Sequence, residues 1–219
     1  AIEGAGAEYE TLGMIGSNCL LDNLGAISKA NDLCNRLGLD TISVGSYASF
    51  TMEAFERGLV TSSQLGELSP SWGKPDFVID FIDQVGKRTN YGSIFNQGFE
   101  SAVAELGKDS KDFAVEVKNL ALPAHDPRSH FSLAINYATS TRGACHLRGY
   151  PHVGELGGVL LPEIGLTEPP EKFSMEGQAR LASLFQDFAT LQDSLVLCVF
   201  QSIAGMSLGE MAKLVNYVT

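Results

Sequence analysis

The stretch DNLGAISKANDLCNRLGLD, residues 22–40, decides the fold class of this chain. Gly38 follows its last apolar position and is placed to end a helix in a left-handed conformation. Asp40 precedes a second apolar run, so its carboxylate can cap the next helix. The apolar residues recur at spacings of three and four, the period of a helix with one buried face; they are Leu24, Ile27, Ala30, Leu33, Cys34 and Leu37. The stretch therefore predicts two helices joined by a tight turn.

Similar signals continue outward along the chain. Further helices are expected at about residues 41–58, 75–86, 93–106, 133–139, 174–191, 194–204 and 208–218. A long loop rich in glycine and proline covers residues 149–170, and residues 113–122 are the best candidate for a strand. These patterns predict an all-α protein.

The helical pattern stops within residues 118–128, a passage that contains Pro123 and Pro127. Such interruptions are typical of the segments between domains. The sequence therefore predicts two packed helical domains, residues 1–117 and residues 118–219.

Composition excludes several classes of protein. Hydrophobic residues make up 44% of the 219 residues, and 15 Lys and Arg stand against 26 Asp and Glu. The absence of a basic run argues against nucleic-acid binding. The sequence contains no uninterrupted apolar run of about 18 residues, so no membrane span is predicted. Four cysteines lie far apart, which does not indicate a disulfide framework, so we expect reduced thiols and a cytoplasmic location. Because the chain starts without Met and ends inside a predicted helix, we expect a piece of a longer protein.

All four histidines lie close together in the sequence, near several arginines. They are His125, His130, His146 and His152, and the arginines are Arg128, Arg142 and Arg148. This crowding would suit an anionic ligand, while the alternative is that the histidines are hydrogen-bonded packing residues. A zinc site is disfavoured because the histidine spacing does not match one helix face and no second cysteine stands near Cys145.

Two short segments share one pattern. Residues 35–40 and residues 193–198 each begin with an amide or acidic residue, carry a leucine one position before the end, and finish with Asp40 or Cys198. Capping alone would explain Asp40. We expect both segments to face a shared ligand and therefore to lie close together.

Several segments, taken in order, resemble one enzyme family over essentially the whole chain. They are Glu8-Tyr9-Glu10-Thr11, residues 35–40 with Thr41-Ile42-Ser43, His125-Asp126-Pro127-Arg128, Tyr137-Ala138-Thr139-Ser140, Arg142-Gly143-Ala144-Cys145-His146, and residues 193–198. These segments resemble the aldehyde:ferredoxin oxidoreductases, which are tungsten or molybdenum enzymes with a bis-pterin cofactor and a 4Fe-4S cluster. The resemblance implies the helical second and third domains without the family's N-terminal β domain.

The resemblance also implies roles for the two turns, which match the family's Asp-x-x-Gly-Leu-Cys/Asp pattern for pterin binding. In the first turn, Asn35 replaces the pattern's Asp, while Gly38, Leu39 and Asp40 match. In the second turn, Asp193, Leu197 and Cys198 match, while Val196 replaces Gly. Cys198 would be one cluster ligand, and the other three thiolates would come from a Cys-x-x-Cys-x-x-x-Cys run before residue 1. One cysteine cannot hold a cluster alone.

Near the metal, the family places a glutamate and a histidine that correspond to Glu10 and His146. His146 suits a hydrogen-bond donor to the aldehyde oxygen, and Glu10 suits a base. Arg148 is a candidate for contact with the pterin; a surface cation is the alternative reading.

The resemblance therefore implies part of an enzyme that oxidises small aldehydes to carboxylic acids and passes electrons to ferredoxin. We expect this piece alone to be inactive and to hold no cofactor, because the β domain and three cluster ligands are missing. The alternative is a cofactor-free helical interaction or structural module that kept the fold. Neither nucleic acid nor membrane is an expected partner, and a homo-oligomer is possible.

Overall fold

The computed structural model describes residues 4–171 and 173–218. The chain divides into two compact units, the first ending at Ala124 and the second beginning at His125. This division lies within the passage 118–128 where the helical pattern stops. Residues 1–3, at the start that lacks Met, lie outside the described ranges. Within the described ranges, no helix combines the length and apolar character needed to cross a membrane.

Helices dominate the first unit. They are α1 (Tyr9–Thr11), α2 (Leu24–Leu37), α3 (Thr41–Glu56), α4 (Ser62–Leu65), α5 (Pro75–Lys87) and α6 (Phe99–Leu106). A π-helical turn, Leu12–Gly16, follows α1 directly, and 3-10 turns cover Ser17–Cys19, Asn90–Phe95 and Lys108–Phe113. Strands β1 (Glu116–Val117) and β2 (Leu120–Ala121) form an antiparallel pair, the only sheet among the described residues. The all-α prediction is confirmed.

Local capping explains where α2 and α3 begin and end. The Asn23 side chain accepts a hydrogen bond from the Ala26 amide at 3.0 Å and so starts α2. Gly38 ends it with φ +68°, as the sequence predicts. The helix predicted at 93–106 is instead interrupted, because Gly98 has φ +70° and α6 begins only after it.

The core of the first unit joins α2, α3 and α5 around a group of aromatic rings. Phe50 and Phe81 each pack edge-on against Phe95, with ring centroids 6.1 and 5.6 Å apart. At Gly45, α3 approaches the π-helical turn closely. A Cβ at this position would lie 2.5 Å from the Met14 carbonyl oxygen, so a side chain there would displace the turn that follows Glu10.

The second unit has a separate hydrophobic core. Its helices are α7 (Phe131–Thr139), α8 (Pro151–Glu155), α9 (Gln178–Ser194), α10 (Phe200–Ile203) and α11 (Leu208–Val218). Tyr150, Phe185 and Phe188 form the aromatic centre of this core. Two expectations were wrong here: α8 lies inside the predicted loop 149–170, and the helix predicted at 194–204 is reduced to α10.

Candidate cofactor turns and histidine cluster

The first predicted cofactor turn, residues 35–40, is an exposed connection between α2 and α3. Gly38 is in the left-handed region, and the Leu39 amide donates to the Cys34 carbonyl at 2.9 Å. Asp40 caps α3, since its carboxylate accepts hydrogen bonds from the Ser43 amide at 2.8 Å and the Ser43 hydroxyl at 2.7 Å. Asn35 is exposed, so its amide is accessible to a ligand.

A cavity of about 380 Å³ lies beside this turn, entirely within the first unit. Gly38, Leu39 and Asp40 form part of its wall. Arg88, Asn96, Gln97 and Asn119 add polar groups to the lining. The volume and the mixture of polar and apolar walls are typical of small-molecule sites, so these residues fit a polar ring compound such as a pterin.

The second predicted turn, residues 193–198, connects α9 with α10. Here Val196 occupies the left-handed region with φ +56°, and the Leu197 amide donates to the Gln192 carbonyl at 2.9 Å. Gln192 is buried, and its side chain donates to Ser202 at 2.6 Å and accepts from Tyr150. The turn is therefore anchored on the core of the second unit.

The backbones of the two turns follow one plan, each turn being compared within its own unit. Gly38 and Val196 occupy corresponding positions, and both are left-handed. The next residue donates to the carbonyl five positions earlier in both cases. A β-branched residue in this region costs about 1–2 kcal/mol relative to glycine. Val196 therefore keeps the geometry of the family's glycine at the expense of local strain.

Arg148 contacts a residue of the second turn. Its guanidinium forms an ion pair with the Asp193 carboxylate, and both side chains are about half exposed. Arg148 is therefore not an isolated surface cation, and its contact with the pterin stays a prediction. The ion pair restricts the orientation of the Asp193 carboxylate, which is predicted to accept a hydrogen bond from the pterin.

Cys198 differs from the other three cysteines in its exposure. It is exposed, whereas Cys19, Cys34 and Cys145 are buried. Burial raises the thiol pKa of Cys19 and Cys34 to about 12, which disfavours the thiolate that a metal cluster needs. Cys198 thus fits the role of a single external ligand, and the described residues supply no second exposed thiol to complete a cluster.

Glu10 lies at the junction of α1 and the π-helical turn. Its carboxylate is buried and accepts a hydrogen bond from the Ala124 amide at 2.8 Å. Burial raises the Glu10 pKa, the Ala124 hydrogen bond opposes this shift, and the charges of Glu8 and Asp40 reinforce it. The shift has the direction expected of a base. Single π-helical turns frequently mark functional sites.

The four histidines form one cluster within the second unit. The His125 ring lies 4.5 Å from that of His146 and 4.7 Å from that of His152, measured between centroids. The His130 ring lies 6.0 Å from that of His152. His146 and His152 are buried. Proximity in the sequence therefore corresponds to contact in the fold.

Desolvation favours the neutral form of His125, His146 and His152. It lowers the pKa of His146 to about 4, with repulsion from His125 adding to the effect, and lowers the pKa of His152 to about 3 with repulsion from the other three rings. The pKa of His125 is also lowered, by burial and then by His130. Neutral rings do not supply the positive charge that an anionic ligand would need. They do leave His146 able to donate a neutral N–H.

One buried acidic residue beside the histidines, Glu155, was not predicted from the sequence. The buried Glu155 lies one helical turn after His152 on α8, and it accepts a hydrogen bond from Ser132 of α7 at 2.6 Å. The i, i+3 spacing of His152 and Glu155 was a signal for a common helix face, but the glycines around them favoured a loop.

The predicted catalytic pair is divided between the units: Glu10 belongs to the first unit and His146 to the second. The first cofactor turn and the second are divided in the same way. A shared site for either pair stays a prediction.

Comparison with known proteins finds relatives along the whole chain. The chain matches, over residues 1–219, the family described as aldehyde ferredoxin oxidoreductase, domains 2 and 3. It is 33% identical to a tungsten-containing aldehyde ferredoxin oxidoreductase of Pyrococcus furiosus over 98% of this chain and 34% of the relative. A protein of the same description from Thermococcus kodakarensis is 32% identical over 96% of this chain and 34% of the relative.

A further relative has a different described substrate. It is the WOR-like subunit of an aliphatic sulfonate oxidoreductase of Pyrococcus furiosus, 29% identical over 64% of this chain and 23% of the relative. The chain spans about a third of the length of the first two relatives. The match over the whole chain shows that it belongs to the aldehyde ferredoxin oxidoreductase family of oxidoreductases.

Proposed function

We propose that this chain is the helical, cofactor-facing part of an enzyme that oxidises aldehydes to carboxylic acids at a tungsten or molybdenum bis-pterin centre. Electrons would leave through a 4Fe-4S cluster to ferredoxin. The observation that carries the proposal is the common backbone of residues 35–40 and residues 193–198. A left-handed residue is retained at position 196 even though the side chain there is valine.

The turns would bind the pterins through their exposed polar groups. Asn35 offers an amide oxygen, whereas Asp193 offers a carboxylate whose orientation is fixed by Arg148. An ionised acceptor forms the stronger hydrogen bond, so we expect the second turn to bind its pterin more tightly. Asp40 is occupied as the cap of α3, and it would contribute mainly by holding the turn in place.

When bound, the metal centre supplies the redox step by taking two electrons from the aldehyde. His146, neutral at pH 7, would donate its N–H to the aldehyde oxygen and stabilise developing negative charge there. Glu10, whose pKa is raised by burial, would accept a proton from water or from the aldehyde hydrate. Cys198 would contribute its thiolate to the cluster.

The test is expression of the full-length protein without oxygen, followed by metal analysis and assays of aldehyde-dependent dye and ferredoxin reduction. We expect bound tungsten or molybdenum together with aldehyde oxidation. His146→Ala should slow the chemical step by about two to three orders of magnitude, the scale for loss of one oxyanion donor, at unchanged metal content. Glu10→Gln should also lose activity while retaining the metal.

Other outcomes would redirect the proposal. Oxidation of aliphatic sulfonates in place of aldehydes would favour the substrate class named for the more distant relative. A full-length protein without metal or pterin would favour the alternative of a helical interaction module. Full activity of both variants would reduce Glu10 and His146 to structural residues.

We also propose a cytoplasmic location, based on the separated cysteines, three of which are buried thiols. A missing β domain would complete the cofactor site, and the isolated 219 residues would then be inactive. Size measurement of the full-length protein would establish whether it forms a homo-oligomer.

A further inference from the structure

We propose that His125, His152 and His130 form a proton relay that connects His146 with the half-buried end of the histidine cluster. This inference rests on the proposed function, because the relay would serve the aldehyde oxidation at His146. It assigns a role to three histidines that the proposed chemistry does not use directly.

The arrangement of the rings defines the path. His146 is followed by His125 at 4.5 Å and then by His152 at 4.7 Å between ring centroids, with tilts of 35° and 44°. The direct separation of His146 from His152 is larger, 6.3 Å, which makes His125 the intermediate. His130 follows at 6.0 Å from His152.

The outer end of the path is a hydrogen-bonded pair. Nδ1 of His130 lies 2.8 Å from the Ser129 hydroxyl, which donates to the Asp126 carbonyl at 2.7 Å. Asp126 itself is exposed and pairs with the exposed Arg128. His130 therefore connects the buried rings with a loop that solvent can reach.

Two ring nitrogens along this path have no hydrogen-bond partner among the described residues. They are Nδ1 of His152 and Nε2 of His130, and both atoms are buried. Buried polar atoms without partners are costly and are normally satisfied by water or by a ligand. Neutral imidazole has one donor and one acceptor nitrogen, so a ring that receives a proton on one nitrogen can release one from the other.

The charges around the cluster favour transport over storage of a proton. Glu155, on the same helix as His152, is engaged with Ser132 of α7. Arg142 contacts the sulfur of Cys145 at 3.9 Å. Burial holds the pKa of His146 and His152 at about 4 and 3, so neither ring would retain a proton at neutral pH. Mutual repulsion also disfavours a second proton in the cluster.

The proposed reaction requires protons to leave a buried site. The aldehyde hydrate loses one C–H bond and one O–H bond, one C–O single bond becomes C=O, and the products are a carboxylic acid, two electrons and two protons. The bound metal centre would supply the acceptor for the electrons, with ferredoxin as the proposed final acceptor. Both protons must reach solvent, and Glu10 would take one of them. The relay would carry the other from His146 to Ser129 after His146 exchanges its donor tautomer for the one whose unprotonated nitrogen faces the substrate.

The kinetic test uses the full-length holoenzyme and His130→Ala, assayed in weak buffer with saturating aldehyde in H₂O and D₂O. We expect kcat to fall at least about tenfold, the solvent isotope effect to rise, and added imidazole to restore most of the rate. Arg128→Gln is the matched control, because Arg128 is exposed in the same loop, and its kcat should be unchanged. An unchanged kcat in His130→Ala, or a loss that imidazole does not restore, would overturn the relay.

A second readout does not depend on activity. In the metal-free full-length protein, ¹H–¹⁵N NMR of the imidazoles reports the tautomer of each ring. The relay predicts that His130→Ala changes the tautomer populations of His152, while Arg128→Gln does not. Unchanged His152 tautomers would refute the coupling even if the wild-type enzyme oxidised no aldehyde, an outcome that would by itself reject only the proposed function.

Discussion

The two cofactor turns reach one backbone geometry with different side chains. The first has glycine at its left-handed position, whereas the second places Val196 there and keeps the corresponding hydrogen bond. Their ends differ more: Asp40 caps a helix, while Cys198 presents an exposed thiol. The proposed function assigns the shared backbone to pterin binding and assigns the cluster to the turn that ends in Cys198.

The largest expected difference between the turns concerns iron. In the full-length protein, Cys198→Ser should abolish the native 4Fe-4S signal, because serine is a poor replacement for a thiolate ligand. Asp40→Asn, the matched change in the first turn, should retain it, since an amide can still cap α3. Iron analysis and electron paramagnetic resonance measure both. Equal cluster content in the two variants would break the assigned division of roles.

Acid should change the stability of the two units in opposite directions. His146 and His152 have folded-state pKa values below the unfolded value of about 6.5. Their contribution to the free energy of unfolding is therefore complete above that pH. It should be lost as the pH falls toward 4 and then 3, by a few kcal/mol in total. The pKa of Glu10 in the first unit is raised, so its contribution to the free energy of unfolding is lost as the pH rises.

Separate probes can resolve this difference in the 219-residue chain. Trp72 is the only tryptophan and lies in the first unit, so its fluorescence reports that unit. Hydrogen exchange across α7, α8 and α9 reports the second. We expect the second unit to lose protection between pH 6 and 4, and His152→Gln should reduce this loss. Simultaneous loss in both units with no effect of the variant would contradict the assignment.

Exchange of the residues at the left-handed position should shift stability in opposite directions. Gly38→Val should lower the free energy of unfolding by about 1–2 kcal/mol, and Val196→Gly should raise it by up to about 1 kcal/mol. The gain is smaller because glycine also increases the entropy of the unfolded chain. Urea denaturation of each variant gives these values. Destabilisation by Val196→Gly would show that the exposed valine contributes a stabilising contact.

The smallest effect is expected for the ion pair of the second turn. Arg148 and Asp193 are about half exposed, so a double-mutant cycle on stability should give a coupling energy of about 1 kcal/mol or less. The first turn has an uncharged Asn35 at the corresponding position. In the full-length protein, Asp193→Asn should make the second turn resemble the first and weaken pterin retention by about tenfold. A stability coupling well above this range would assign Arg148 a mainly structural role.

Sequence predicted the elements whose signals are local. The apolar period and Gly38 predicted α2 and its end, whereas the Asn23 cap that starts it was not identified. The break at 195–199 was missed because valine rarely adopts a left-handed conformation, and hydrogen bonding to Gln192 overrides that preference. Helix α8 was missed because its length of five residues and nearby glycines are typical of loops.

The candidate site was predictable in its residue types but not in its electrostatics. The histidines were identified as a group from their proximity in the sequence, yet the lowered pKa values of His146 and His152 depend on burial, which is a property of tertiary packing. The pairing of Arg148 with Asp193 likewise joins residues far apart in the chain, and no local pattern indicates it.

The contrast between Cys198 and the three buried cysteines also has a practical consequence. A thiol-directed reagent applied briefly to the metal-free 219-residue chain should modify Cys198 first, because reaction requires access and a thiolate. A spin label or fluorophore would then stand at a defined point in the second cofactor turn without any cysteine being removed. Paired with Trp72 as an energy-transfer donor, such a label would provide a spectroscopic ruler from the first unit to the second.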